Sequence, residues 1–281
     1  MGSYHSKGSK EITANSGEDI HQQFVQHCDD NNLEGVTDCL SRGADVNTVL
    51  EDGNVEWTGL TIAAHENYPE LVDILLSHPD IEINKTKYIS PHGAESTALM
   101  EACRAGNSAI VSRLAQVPGL DFNWQEKFGH TAAHLAIYKA HTECVRILAE
   151  TGRVDWNYRR NREGWNPLFL SLAQSSSDRL VDIVDIIVRQ PNINYGITTR
   201  RGQTLAHAVV MREDVNVKYM EILAAQEKFD YWNVADYYGN IPIMNVLKRG
   251  DQNTLVILTN IPRVDLNVVD NEGQHVEDVA R

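Results

Sequence analysis

The stretch LDFNWQEKFGHTAAHLAIYKAHTECVRILAETGRVDWN, residues 120–157, opens and closes on the same short phrase, an acidic residue, an aromatic one and an asparagine. Related phrases end at Asn47 (ADVN), Asn84 (IEIN), Asn123, Asn157, Asn194 (NIN), Asn233 (YWN) and Asn267 (VDLN), in steps of 37, 39, 34, 37, 39 and 34 residues. A period of this length marks a solenoid, in which each unit is one supersecondary element that buries its apolar face only by stacking on its neighbours. The steps 37, 39 and 34 occur twice in order. The extra residues fall in different places in the two triplets, so no triplet duplication is read from them.

Within the stretch, Thr131 is a good helix N-cap, and Ala-Ala-His-Leu-Ala-Ile at 132–137 supplies a first helix of small residues that packs closely. A break at 139–141 leads into a second helix with Val145, Ile147 and Leu148 on its apolar side. Equivalent second helices read LVDILL (71–76), AIVSRL (109–114), LVDIVDIIV (180–188), KYMEIL (218–223) and TLVIL (254–258). Gly129 precedes Thr131 by two, with glycines at 164, 202, 239 and 273 in matching places, where the connecting turn needs a backbone shape that other residues resist.

The units GHTAAHLAI (129–137), GWNPLFLSL (164–172), GQTLAHAVV (202–210) and GNIPIMNVL (239–247) resemble the ankyrin-repeat family, whose pattern is roughly D-x-x-G-x-T-P-L-H-x-A, a second helix and a turn ending in D-x-N. Each copy is degenerate: the proline survives as Pro167 and Pro242, the histidine as His134 and His207. The resemblance covers residues 19–281. It implies an all-α solenoid of helix–turn–helix units with β-hairpin fingers, seven full repeats and a partial eighth, after a flexible segment at 1–18. It also implies that the recurrent asparagine bonds backbone groups and ties adjacent repeats. The fingers are unequal: ten residues lie between Asn47 and Thr58 and twelve between Asn84 and Thr97, against seven between Asn123 and Thr131.

The chain carries 39 acidic and 25 basic side chains, a net charge of −14. Acidity concentrates in residues 1–100, with 17 acidic against 5 basic, whereas residues 101–250 hold 16 against 18. Non-specific nucleic-acid binding, which works by neutralising phosphates with Lys and Arg, does not suit this balance. The nearly neutral middle leaves room for a locally basic surface. Cys28, Cys39, Cys103 and Cys144 fall in different repeats without metal-like spacing and read as buried, reduced thiols. No apolar run is long enough to span a membrane or to serve as a secretory signal. A soluble cytoplasmic monomer without cofactor or metal is the expectation.

No HExxH, GxSxG, phosphate-cradling glycine loop or CxxC pair occurs, so no catalytic residue is assigned. His134 and His207 read as capping residues beside Thr131 and Thr204. Phe122, Trp156 and Trp232 precede the recurrent asparagines and read as packing. Candidate partner contacts are the finger aromatics Trp124, Tyr158, Tyr195, Tyr237 and Tyr238, with packing between fingers as the alternative. To these are added the finger arginines Arg159, Arg160 and Arg162, and Arg200 and Arg201 of the next finger, suited to an acidic or phosphorylated segment. The N-terminus, Met1 to Ser6, fits the N-myristoylation pattern at Gly2, with a cloning leader as the rival reading. The functional expectation is a non-catalytic adaptor that binds a protein through its concave face and fingers. Alternatives are a regulator tethered to the inner membrane leaflet through Gly2, or the recognition part of a larger, enzymatic polypeptide.

Overall fold

The computed structural model describes residues 19–52, 55–89, 94–159, 164–174, 178–212 and 217–267, together with 269, 273 and 275. Gly2, Arg160, Arg162 and the first helix expected for the eighth repeat (QHVEDVAR, 274–281) lie outside the described residues, apart from His275.

Seven helix pairs follow one another: α1 (Ile20–Asp29) with α2 (Leu33–Ser41), α3 (Gly59–Glu66) with α4 (Pro69–Leu76), α5 (Ala98–Ala105) with α6 (Ser108–Ala115), and α7 (Ala132–Tyr138) with α8 (Thr142–Glu150). The array continues with α9 (Pro167–Ala173) and α10 (Asp178–Val188), α11 (Leu205–Val210) and α12 (Val217–Ala224), α13 (Pro242–Arg249) and α14 (Gln252–Thr259). First helices pack on first helices, α3 on α5 on α7 on α9 on α11 on α13. Second helices form the other layer, α4 to α6 to α8 to α10 to α12 to α14.

Sequence patterning explains both layers. First helices are short and bury nearly every residue, as in α7, where Ala132 to Ile137 are all buried. Second helices present a narrow apolar stripe at positions i, i+1 and i+4. Leu71, Val72 and Leu75 occupy it in α4, Ile110, Val111 and Leu114 in α6, and Cys144, Val145 and Leu148 in α8. Each such aliphatic side chain contributes about 1.5–3 kcal/mol on burial, so the core is a strip that lengthens with every repeat. All four cysteines are buried and free. Burial pushes the Cys144 thiol up to about 11.

Thr58, Thr97, Thr131, Asn166 and Thr204 cap the first helices by accepting the N–H three residues on. His134 and His207 complete capping boxes and also reach the next repeat. The Thr204 N–H donates to His207 Nδ1 at 3.1 Å, and His207 Nε2 meets the Asn240 carbonyl at 2.8 Å. That pair of bonds selects the neutral Nε2–H tautomer. His134 repeats the arrangement on Thr131 and the Trp165 carbonyl.

The recurrent asparagines form a ladder between repeats. Asn47 Nδ2 donates to the Asp80 carbonyl and its Oδ1 accepts from the Glu82 N–H, both at 2.8 Å. Asn84, Asn123, Asn157 and Asn233 each make the same two-way bridge. Asn194 does not. Its N–H fills the acceptor of Asn157, and its own Oδ1 accepts from the Gly196 N–H at 2.9 Å. Asp45, Asp121, Asp155 and Asp265 make that local bond to the residue two further on. Asn194 therefore stands at the acidic position of the phrase, and Gly196 holds the ladder position. The fifth marker moves by two, and the steps on either side become 39 and 37 rather than 37 and 39, so the doubled series dissolves.

Strands form only where the fingers are long. β1 (Val49–Asp52) and β2 (Val55–Thr58) belong to the second finger, β3 (Lys87–Ile89) and β4 (Ala94–Ser96) to the third. They join into one antiparallel sheet in the order β1-β2-β3-β4, with Val55 opposite Ile89 and Glu56 opposite Tyr88 across the junction. Among the described residues the remaining fingers turn without strands, because seven or eight residues are consumed by the turn itself.

Candidate functional site

Three short fingers are built on one turn, and that turn decides what they display. At its base the N–H of Glu126, Thr199 or Asp236 donates to the carbonyl of the residue four on. The side chain of each then accepts from the N–H groups two and four residues further along. Asp236 Oδ1, for example, takes the Tyr238 and Asn240 N–H groups at 2.9 and 3.0 Å. Glu126 does the same for Phe128 and His130, and Thr199 for Arg201 and Gln203. Burial alone would raise the Glu126 carboxyl, but the bonds from His130 and the two N–H groups outweigh it and hold it below the ordinary range. With the base turned inward, the next two residues face outward at each tip: Lys127 and Phe128, Arg200 and Arg201, Tyr237 and Tyr238.

Two of these tips touch. The Tyr237 N–H donates to the Arg201 carbonyl at 2.9 Å. Gly202, at φ +77°, leaves the space that the Tyr237 ring occupies, since a Cβ there would lie 2.6 Å from the ring. Tyr237 and Tyr238 nevertheless remain 74% and 66% exposed, and Arg200 and Arg201 are exposed beside them. Two adjacent tyrosines and two adjacent arginines thus share one stretch of rim.

The other expected contacts divide. Arg159 is exposed but acts as a staple, with Nε donating to the Gly164 carbonyl at 3.0 Å and Nη2 to the Thr198 carbonyl of the next finger at 2.7 Å. Trp124 is half-buried against the core, with its indole nitrogen out of reach of solvent. Tyr158 is half-buried. Tyr195 is 7% exposed, and its hydroxyl donates to the Val188 carbonyl at 3.0 Å, so it is corrected from partner contact to framework. The register explains this: with Gly196 at the ladder position, Tyr195 fills the packing place of Phe122 and Trp156.

Sequence reasoning missed one polar centre. Glu101 lies on α5 where α7 carries Leu135, and it is fully buried. Its carboxylate meets Lys87 Nζ at 2.9 Å, His65 Nδ1 at 3.1 Å, Ser96 Oγ at 2.5 Å and Arg104 Nε at 3.4 Å. Burial alone would raise its pKa, but the hydrogen bonds from His65 and Ser96 and the charges of Lys87 and Arg104 bring it down to about 2. Lys87, itself buried and 3.6 Å from the centroid of the Trp57 ring, is pulled below its ordinary value by desolvation. The ionisation of the pair is therefore secured from the carboxylate, which has four partners. The centre pins the finger sheet to α5. Among the described residues no group of histidines, cysteines and acids is arranged to hold a metal ion, and no helix is long and apolar enough to cross a membrane.

Comparison with known proteins agrees with this architecture. A family model described as ankyrin repeats (3 copies) matches residues 24–125 and 99–195. Cortactin-binding protein 2 of Mus musculus is 33% identical over 97 residues, 34% of this chain and 5% of that protein. The same-named protein of Ovis aries is 37% identical over 59 residues, 21% of this chain and 4% of that protein. The chain thus spans about a twentieth of the length of these relatives. Among solved structures, the ankyrin repeat domain of Bcl-3, described as a unique member of the IkappaB protein family, superposes with a TM-score of 0.66 at 19% identity. The match covers 86% of this chain and all of that one. With the model matching well over half of its length and the helix pairs, caps and asparagine ladder in place, the chain belongs to the ankyrin-repeat family, whose domains serve protein interaction.

Proposed function

We propose that this chain is a non-catalytic adaptor that holds an acidic segment of a protein partner on its finger rim, with Arg200, Arg201, Tyr237 and Tyr238 as the contact. The observation that carries the reading is the docking of Tyr237 on Arg201 and Gly202, which leaves both tyrosines exposed beside two arginines. Exposed Tyr and Arg are the residue types that dominate interface energies. Arginine offers planar forks to carboxylates. Arg159 supports the rim from behind by joining two fingers rather than by touching the partner. The likeness to cortactin-binding protein 2, a protein whose name states a protein partner, fits a binding role without naming the partner of this chain.

The test is fluorescence anisotropy of a labelled Glu- and Asp-rich peptide against the full chain, the Arg200→Ser/Arg201→Ser variant and the Tyr237→Ala variant. The reading expects affinity to fall about tenfold or more in each variant and to weaken with added salt. Equal affinity in all three would remove the rim from the function.

A further inference from the structure

The long second and third fingers make one sheet, and its two faces differ, because side chains alternate along a strand. One face looks onto α5, where Lys87 and Ser96 both reach Glu101 and Trp57 is buried. The other face carries Glu56 of β2, Tyr88 of β3 and Glu95 of β4. Glu56 stands opposite Tyr88 and Tyr88 opposite Glu95, so the three form a row across the strands. All three are exposed, Tyr88 at 38%. Among the described residues neither carboxylate of the row has an ion-pair or hydrogen-bond partner. The lysines and the arginine of residues 19–100 are engaged elsewhere: Arg42 with Asp38 at 3.0 Å, Lys85 with Glu82 at 3.6 Å and Lys87 with Glu101 at 2.9 Å. The fingertips at 53–54 and 90–93 lie outside the described residues and do not enter the row.

The inner face shows what such a set of groups holds. Lys87 Nζ lies 3.6 Å from the Trp57 ring centroid and 2.9 Å from Glu101, a cation between an aromatic ring and a carboxylate. The outer face repeats the ring and the carboxylates on the exposed side. With strands about 4.8 Å apart, Glu56 and Glu95 flank Tyr88 at about 5 Å each and stand about 10 Å from one another. A guanidinium suits this spacing, because its plane stacks on an aromatic ring while its fork meets a carboxylate. The bonds of Lys87 and Ser96 to Glu101 fix the strands from beneath. The row is therefore ordered before anything binds, which lowers the cost of binding.

We infer that this face of the finger sheet docks a basic segment of a partner protein, with one arginine lying on Tyr88 between Glu56 and Glu95. The site goes beyond the rim reading and is independent of it, since it lies on other fingers and selects the opposite charge. Charge complementarity chooses the occupant. Residues 1–100 hold 17 acidic against 5 basic side chains, a field that draws cationic segments. The same field repels nucleic-acid phosphates and anionic lipid surfaces.

The experiment is selection from a displayed random peptide library on the full chain. Fluorescence anisotropy of the recovered peptides then compares the full chain with its Glu56→Gln/Glu95→Gln, Tyr88→Ala and Arg201→Ser variants. The expected class of basic peptides carries arginine and loses affinity as salt is raised. It weakens about tenfold or more in the double glutamine variant and about threefold or more in Tyr88→Ala, and changes less than about twofold in Arg201→Ser. Both glutamates are exposed and glutamine keeps their size, so the double variant decides the matter should Tyr88→Ala loosen β3. An unchanged melting temperature checks that its sheet stays in place. Basic peptides that bind the double variant as tightly as the unaltered chain, or a selection that returns no basic peptide, overturn the sheet-face site. Acidic peptides from the same selection report on the rim through Arg201→Ser, so either reading can fail while the other stands.

Discussion

Lys87 Nζ lies 2.9 Å from Glu101 Oε2 and 3.6 Å from the centroid of the Trp57 ring, so a cation from one finger is held between a helix carboxylate and an aromatic of the neighbouring finger. The carboxylate is fully buried and the ammonium nearly so. Removing one member of such a pair strands the other in a low-dielectric site, a cost of about 3–5 kcal/mol. Glu101→Ala should therefore lower stability by that order in urea unfolding. The joint replacement Lys87→Met/Glu101→Leu should cost much less, because Leu135 already occupies the equivalent place on α7.

Two groups give the stability a pH dependence of known sign. Glu101 has its folded-state pKa depressed from 4.5 to about 2, so its contribution is complete above 4.5 and is lost as pH falls toward 2. His207 is lowered from 6.5, chiefly by burial, and its Nδ1 accepts the Thr204 N–H. The unfolded chain then takes up the proton first, and stability declines as pH drops below about 6.5. Urea midpoints measured from pH 7 downward should show both slopes. His207→Gln should reduce the upper one, to which His141 also contributes, and Glu101→Gln the lower, to which Glu126 and Asp251 contribute.

Arg159 and Arg200, both finger arginines, should separate cleanly by assay. Arg159→Ala loses bonds to the Gly164 and Thr198 carbonyls and should cost about 1 kcal/mol or more in stability. Arg200 is exposed at a fingertip, and Arg200→Ser should act chiefly on peptide affinity.

The ladder makes a sharper distinction between two asparagines that look alike in sequence. Asn157 bridges to the Asn192 carbonyl and the Asn194 N–H of the next repeat, whereas among the described residues the Asn194 side chain bonds only to the Gly196 N–H two residues on. Asn157→Ala should cost about 1–3 kcal/mol and Asn194→Ala well under half of that. Equal losses in chemical denaturation would contradict the register assigned to the sixth repeat.

These contrasts show what could be read from the sequence and what could not. The repeat period was legible because every unit solves the same burial problem with the same parts, so caps, glycines and apolar stripes recur. The phrase ending at Asn194 misled because it satisfies the period while sitting two residues early. A signal was present, since Asn194 to Thr204 is ten residues where Asn123 to Thr131 and Asn233 to Ile241 are eight. Counting to Gly196 restores eight and turns Tyr195 inward. The Glu101 centre was hidden for a different reason. Its partners Lys87, Ser96 and His65 come from two strands of one finger and a neighbouring helix, and no local pattern announces that a glutamate will replace a core leucine. The rim was half legible: tip residues follow from turn position, but nothing local announces that Arg159 reaches the Gly164 and Thr198 carbonyls.

The joining of β2 to β3 has a consequence for how this array can change over generations. Elsewhere a repeat can be lost or copied as an independent module, since its neighbours meet it through interchangeable faces. Here the second and third fingers share strand pairing and a common ion cluster. Deleting the third repeat alone would leave β2 with an open edge, and deleting the second alone would open the edge of β3 and strip His65 and Trp57 from the buried Lys87–Glu101 pair. Lineages that shuffle this solenoid should therefore gain or lose the two repeats together.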